Sequence, residues 1–193
     1  MPLIVAIPAR DEAALIGRCL DALIPQGAHV LVLANNCTDA TAEIARKRGA
    51  EVIEATLDPA GAGYARRMAM ALAAERGDRI ATTDADCVPD ADWVAQMAAA
   101  LDGVDAVAGR VSGDWEELRH QPPEALHIGD LEWRYLALRA ALEARLDPRP
   151  HDPAPRHVQR CGANIGVTAQ ALARVGGVPA MASGEDRALL AAL

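Results

Sequence analysis

Short apolar, β-branched runs alternate regularly with amphipathic segments from Leu3 to Ala108, and this alternation restricts the fold more than any other feature. Leu3–Ile7, Val30–Leu33, Glu51–Ala55, Arg79–Thr83 and Val104–Ala108 read as strands. Between them, Glu12–Leu23, Thr38–Arg48, Tyr64–Glu75 and a segment capped by Asp90 and running to Leu101 carry helical spacing. Thr38 or Asp39 is expected to cap the second helix, and Gly49 to stop it. Strand–helix alternation predicts an α/β fold of three layers, α/β/α, around a mainly parallel central sheet. Right-handed crossovers bring the loops after the strands to one edge, where ligands bind in such sheets.

The pattern changes after Val111. Glu124–Leu146 reads as one long amphipathic helix bearing Leu126, Leu131, Leu138 and Leu142. Asp147–Arg156 is rich in proline and charge and is expected to be an exposed, mobile loop of lid type. Cys161–Val167 is expected to return to the sheet, followed by short helices over Thr168–Val175 and Glu185–Leu193, with Gly176-Gly177 as a break.

Composition narrows the classes. The chain has 193 residues, enough for one domain with a sizeable core. A net charge of −8 argues against nucleic acid as the main partner, because a phosphate backbone needs a basic face. Cys19, Cys37, Cys87 and Cys161 are scattered with no zinc spacing, which reads as reduced thiols of a cytoplasmic protein. Neither a signal peptide nor an apolar run of the roughly 18–20 residues needed for a span is visible.

Three segments carry groups suited to chemistry. Asp84-Ala85-Asp86 follows the fourth strand at the binding edge. In an extended segment its two carboxylates would point the same way and share a hard divalent cation, although a lone acidic pair is commonly just a solvated loop. Gly61 and Gly63 open a helix carrying Arg66 and Arg67; bare backbone and arginine suit a diphosphate, and equally a plain glycine turn. Glu185 and Asp186 lie in the first turn of the last helix, where acids favour the dipole whatever else they do. Asn35 closes the second strand, where a small polar side chain can bond a base or form a turn. His151 and His157 read as solvated, and Trp115 and Trp133 as core or interface residues.

Taken in order, VAIPARDEAALIGRCLDAL, LVLANNCTDAT, GAGYARRMAMALA, TTDADCVPDADWV, CGANIGVTAQALARVGGVP and GEDRALL make the chain resemble a family 2 glycosyltransferase of GT-A fold. The resemblance implies a single domain over 1–193. Residues 1–110 would form its nucleotide-sugar-binding half and 111–193 its acceptor side. It implies an inverting transfer from a nucleotide-diphosphate sugar, a UDP-sugar by preference, to an acceptor hydroxyl, assisted by Mn2+ or Mg2+. Pro8, Arg10, Glu12, Asn35, Arg66, Arg67 and Asp84 would then bind nucleotide, and Asp86 with Asp84 the metal. Asp186 would be the catalytic base, with Glu185 and Gly162 on the acceptor side. Asn35 stands where many members carry aspartate, and no Q-x-x-R-W motif follows the acidic pair. The chain stops one helix after Asp186, where members of the family usually continue. A sugar nucleotidyltransferase would show a glycine-rich loop in place of Pro8–Glu12, and a catalytically silent nucleotide-sugar-binding domain is the other alternative.

Overall fold

The computed structural model describes residues 2–112, 122–150 and 161–193. Its strands are β1 (Ile4–Ala9), β2 (His29–Asn35), β3 (Glu51–Ala55), β4 (Arg79–Thr82), β5 (Ala106–Ala108) and β6 (Ile165–Thr168). Its α-helices are α1 (Ile16–Leu23), α2 (Thr41–Lys47), α3 (Ala62–Ala74), α4 (Trp93–Ala100), α5 (Pro123–Leu146), α6 (Ala169–Arg174) and α7 (Glu185–Ala192). They fall into two compact units, residues 1–109 with 160–193, and residues 110–159.

The first unit is built on a six-stranded sheet of order β3-β2-β1-β4-β6-β5. β1 pairs in parallel with β2 and β4, and β2 with β3. β6 runs antiparallel to both β4 and β5. The mainly parallel sheet is therefore as expected, but the fifth strand is not β4's neighbour. Residues from beyond position 160 insert between them, in a direction that hydrophobic periodicity does not encode.

Period-two alternation in β1 divides the core. Leu3, Val5, Ile7 and Ala9 face a layer containing Ile16, Cys19, Leu20 and Leu23 of α1, Ala45 of α2, and Val94 and Met97 of α4. Ile4 and Ala6 face the opposite layer, with Ala65, Ala69, Met70 and Ala73 of α3, Ala171 and Leu172 of α6, and Leu189 of α7. Small residues let α3 lie close to the sheet. Gly166 of β6 does the same for α4, since a Cβ there would run into the Met97 thioether.

The helix stops follow the expected chemistry, while three starts depart from it: α1 begins at Ile16 and not Glu12, α2 begins at Thr41 after Ala40 with no side-chain cap, and α4 begins at Trp93. Gly49, at φ +88°, stops α2, and Gly176 and Gly177, at +81° and +86°, end α6. Asp39 Oδ1 accepts from the Thr41 amide at the start of α2 (2.9 Å). Asp90 does not cap α4. The helix starts at Trp93, and the carboxamide of Gln26 accepts from the Val94 amide (2.9 Å) while donating to the Asp90 carbonyl (2.8 Å).

In the second unit, α5 extends over 24 residues. Leu126, Leu131, Leu138 and Leu142 of this helix are exposed, at 37%, 50%, 73% and 56%. The expected loop Asp147–Arg156 lies from position 151 onward outside the described residues, as do Trp115, His151 and His157.

Candidate active site

The C-terminal ends of the parallel strands open into a cleft of about 310 Å³. It is lined from β1 by Pro8, Ala9, Arg10 and Glu12, from β2 by Asn35, from the α3 start by Gly61, Ala62, Ala65 and Arg66, and after β4 by Asp84, Ala85 and Asp86. Eight of the residues singled out from the sequence thus converge: Pro8, Arg10, Glu12, Asn35, Gly61, Arg66, Asp84 and Asp86.

The β1 and β2 edges are laced together. Asp11, at φ +54°, accepts from the amide (2.7 Å) and hydroxyl (3.2 Å) of Thr38. Asp39 accepts from the Thr41 hydroxyl (2.5 Å) and, through its other oxygen, from the Ala13 amide (3.0 Å). Thr41 Oγ1 in turn accepts from the Glu12 amide (2.7 Å). These bonds fix where Glu12 stands. Partial burial, and then the charges of Asp86, Asp39, Asp84 and Asp11, push its carboxyl pKa up. Asn35 is only 4% exposed and lines the cleft, yet its side-chain amide makes no hydrogen bond among the described residues. A side-chain amide that lines a cleft with no hydrogen-bond partner among the described residues is suited to a ligand's polar edge.

Beyond β4 the chain turns: the Cys87 amide donates to the Asp84 carbonyl (3.2 Å), with Ala85 and Asp86 in the turn. The extended segment expected for Asp84 and Asp86 is therefore not what brings their carboxylates near. The turn does so, setting carboxylate oxygens of Asp84 and Asp86 and the Cys87 sulfur within 4.8 Å of one another. Hard oxygen donors on an open cleft fit a divalent cation that keeps positions for phosphate oxygens. Burial, aided by Asp86 and Asp84, raises the Cys87 thiol to about 11, and for a hard cation the two carboxylates are better donors than its soft sulfur.

Arg66 organises the opposite wall. It is 5% exposed, and its guanidinium donates four hydrogen bonds. Nε reaches Glu185 Oε1 (2.9 Å), Nη1 reaches Thr82 Oγ1 and the Gly162 carbonyl (2.9 Å each), and Nη2 reaches Asp84 Oδ1 (2.7 Å). Burial works against its charge, but Asp84 and Glu185 outweigh burial, and its pKa is raised. The fork geometry of arginine suits this convergence, which lysine could not reproduce. Gly162 has no room for a side chain, since a Cβ would collide with this guanidinium. Its amide donates to Asp186 Oδ2 (3.0 Å), and Asp186 Oδ1 accepts from the Arg187 amide (2.7 Å). A continuous path of bonds thus runs from Asp84 through Arg66 and Gly162 to Asp186.

Some residues take places the sequence did not indicate. Arg67 is not among the residues lining the cleft and donates to the Val178 carbonyl. Glu185 is 4% exposed and bonded to Arg66. Gly63 accommodates protein, because a Cβ there would meet the Met181 carbonyl and the Glu185 carboxylate. Thr82 and Asn164 escaped notice. Asn164 accepts from the Trp93 indole (2.9 Å), and its carbonyl accepts from the Gly109 amide (2.8 Å), which pins the Gly162 turn. The paired threonines before Asp84 were a visible signal; nothing local marks Asn164.

Comparisons with known proteins bear on the family and the fold. The sequence profile described as "Glycosyl transferase family 2" matches residues 4–160. An uncharacterized glycosyltransferase of Mycobacterium tuberculosis (strain H37Rv) is 32% identical over 163 residues, covering 81% of this chain and 66% of that protein. Among solved structures, glucosyl-3-phosphoglycerate synthase from Mycobacterium tuberculosis, in complex with Mn2+, UDP-glucose and phosphoglyceric acid, superposes with a TM-score of 0.62 at 22% identity. The match covers 98% of this chain and 63% of that one. TarS of S. aureus in complex with UDP gives a TM-score of 0.63 at 17% identity, over 98% of this chain and 54% of that one. These two structures share the fold. The chain spans just under two thirds of the length of the curated relatives it matches.

Proposed function

Since this chain belongs to glycosyl transferase family 2, we propose that it transfers a sugar from a UDP-sugar to an acceptor hydroxyl, with inversion at the anomeric carbon. The observation that carries this reading is the unbroken path of bonds from Asp84 through Arg66 and Gly162 to Asp186, which ties a donor-side carboxylate to a candidate base. The solved relatives that hold UDP and Mn2+ support the choice of donor and of a divalent cation.

The nucleotide lies along Pro8, Arg10, Glu12 and Asn35, with the Asn35 amide hydrogen-bonding the base and Glu12 the ribose. Asp86 and Asp84 would hold Mn2+ or Mg2+, which would supply positive charge against the leaving diphosphate. Arg66 keeps Asp84 oriented and presents its own charge at the cleft wall. Asp186 accepts the proton of the acceptor hydroxyl as that oxygen bonds to the anomeric carbon. The bond to the diphosphate breaks in the same displacement, and the nucleoside diphosphate leaves with the electron pair. One displacement without a glycosyl-enzyme inverts the centre. Donor binding falls to residues 1–110 and acceptor recognition to 111–193, with Gly162 and Glu185 shaping the acceptor side. A cytoplasmic setting accords with four unpaired thiols. Among the described residues no helix is long and apolar enough to cross a membrane.

One observation favours a second role for Asp186: both its oxygens accept backbone amides, as expected of a residue that only supports a helix start. Asp186→Asn separates the two. As the base, the variant binds UDP like the parent and loses transfer, or slow donor hydrolysis, by orders of magnitude. As mere support, it keeps its rate and loses only about 0.3–1 kcal/mol of stability. Calorimetric UDP binding, melting and turnover measured on one preparation decide.

A further inference from the structure

Helix α5 has two apolar faces. On one, Gly129, Leu136, Ala140 and Ala144 are buried or half-buried. On the other, Ile128, Leu131, Tyr135, Leu138 and Leu142 follow at steps of three, four, three and four residues, and are 64%, 50%, 62%, 73% and 56% exposed. A seam of that period is what one helix offers to another in a coiled coil, where each side chain enters a hole on the facing helix. Single exposed apolar residues are ordinary, but a continuous stripe along one face marks an interaction surface.

We propose that this face pairs with the same face of a second copy of the chain, the two α5 helices running antiparallel about a two-fold axis. The charges beside the seam select that arrangement. Glu132 and Arg139 follow directly on the seam residues Leu131 and Leu138. With helices antiparallel and Tyr135 layered on the partner's Leu138, Glu132 lies beside the partner's Arg139, and symmetry repeats the pair. In a parallel pairing Arg134 would instead face the partner's Arg139, a like-charge contact. A membrane surface is a poorer occupant, because acids and bases nearly cancel along α5 and a surface-seeking helix carries a basic polar face. One helix pair is smaller than a standard interface of about 800 Å² per partner, so the dimer dissociates on dilution.

Sedimentation velocity over a dilution series tests this on the 193-residue chain. The expected result is a mass rising from one chain to two with concentration. Leu138→Glu, at an exposed position, should hold the chain at single mass with unchanged circular dichroism and melting. Arg139→Glu should weaken the dimer by about tenfold, two symmetry-related pairs being lost together, and Glu132→Arg added to it should restore association. A single-chain mass at every concentration overturns the proposal, as does a dimer indifferent to Leu138→Glu. Tighter association in Arg139→Glu indicates parallel pairing and overturns the stated geometry. A monomer that co-sediments with vesicles of phosphatidylcholine and phosphatidylglycerol assigns the face to lipid and also overturns the proposal.

Discussion

At Gly162 a single methyl group would decide the state of the cleft wall. The Arg66 guanidinium occupies the space a Cβ would need, and it is held there by Glu185, Thr82, Asp84 and the Gly162 carbonyl itself. Gly162→Ala must therefore displace a buried, fully engaged cation. Overpacking of this kind costs about 1–3 kcal/mol, and the displaced guanidinium also releases Asp84. The expected outcome is a lower melting temperature together with weaker UDP and Mn2+ binding, seen by calorimetry. A variant that melts lower yet binds both as before would show that Arg66 does not position Asp84. The residue scale is also where the sequence was least complete. Asp84 and Asp86 were conspicuous because two acids follow a buried strand, but that they meet through a turn was not visible. Thr82 and Asn164 gain their roles only from partners 16 and 71 residues away, Arg66 and Trp93. No local pattern records such pairings.

Elements were more legible than the contacts between them. β3 spans Glu51–Ala55 as read from its apolar run, and the glycines at 49, 176 and 177 end helices as left-handed stops. Runs of apolar residues fix element type because burial demands their spacing. The start of α4 was misplaced because its cap is the Gln26 carboxamide, 68 residues from Val94, and not the nearby Asp90. The place and direction of β6 were hidden for a related reason: alternation states which residues are buried, not which neighbour they pair with. The lacing of the loops after β1 and β2 leads to a test at this scale. Asp39 joins them through Thr41 and Ala13, and the Thr41 hydroxyl holds its carboxyl below the usual 3.8. A depressed carboxyl contributes stability above its unfolded pKa and loses that contribution as pH falls through the folded value. Asp39→Ala should therefore melt below the parent at neutral pH and bind UDP more weakly, since Glu12 is no longer fixed. The two melting curves should converge in acid below the folded pKa of Asp39. A gap between them that persists at that acidity would mean the aspartate acts by some route other than its charge.

On the scale of the whole molecule, the cleft exists only in the folded state, so nucleotide and metal bound there as proposed should report on it through global stability. UDP with Mn2+ at a hundred times its dissociation constant should add about 2.7 kcal/mol, read as a rise in melting temperature. Asp86→Asn should retain the parent's melting temperature without ligand and lose the metal-dependent part of that rise. An undiminished rise in Asp86→Asn would remove the carboxylate from metal binding. The Arg66 node carries a further consequence, for inheritance and engineering. Its four bonds reach β4, the turn at Gly162, α7 and the Asp84 carboxylate. A chimera that takes residues 1–110 from one relative and the remainder from another would divide this node, leaving a buried cation facing foreign partners. Arg66, Thr82, Asp84, Gly162 and Glu185 would have to travel as a set. Donor and acceptor preferences in such a chain are therefore poor candidates for exchange as independent modules. Grafts confined to residues outside that set should be tolerated far more often than those that cross it.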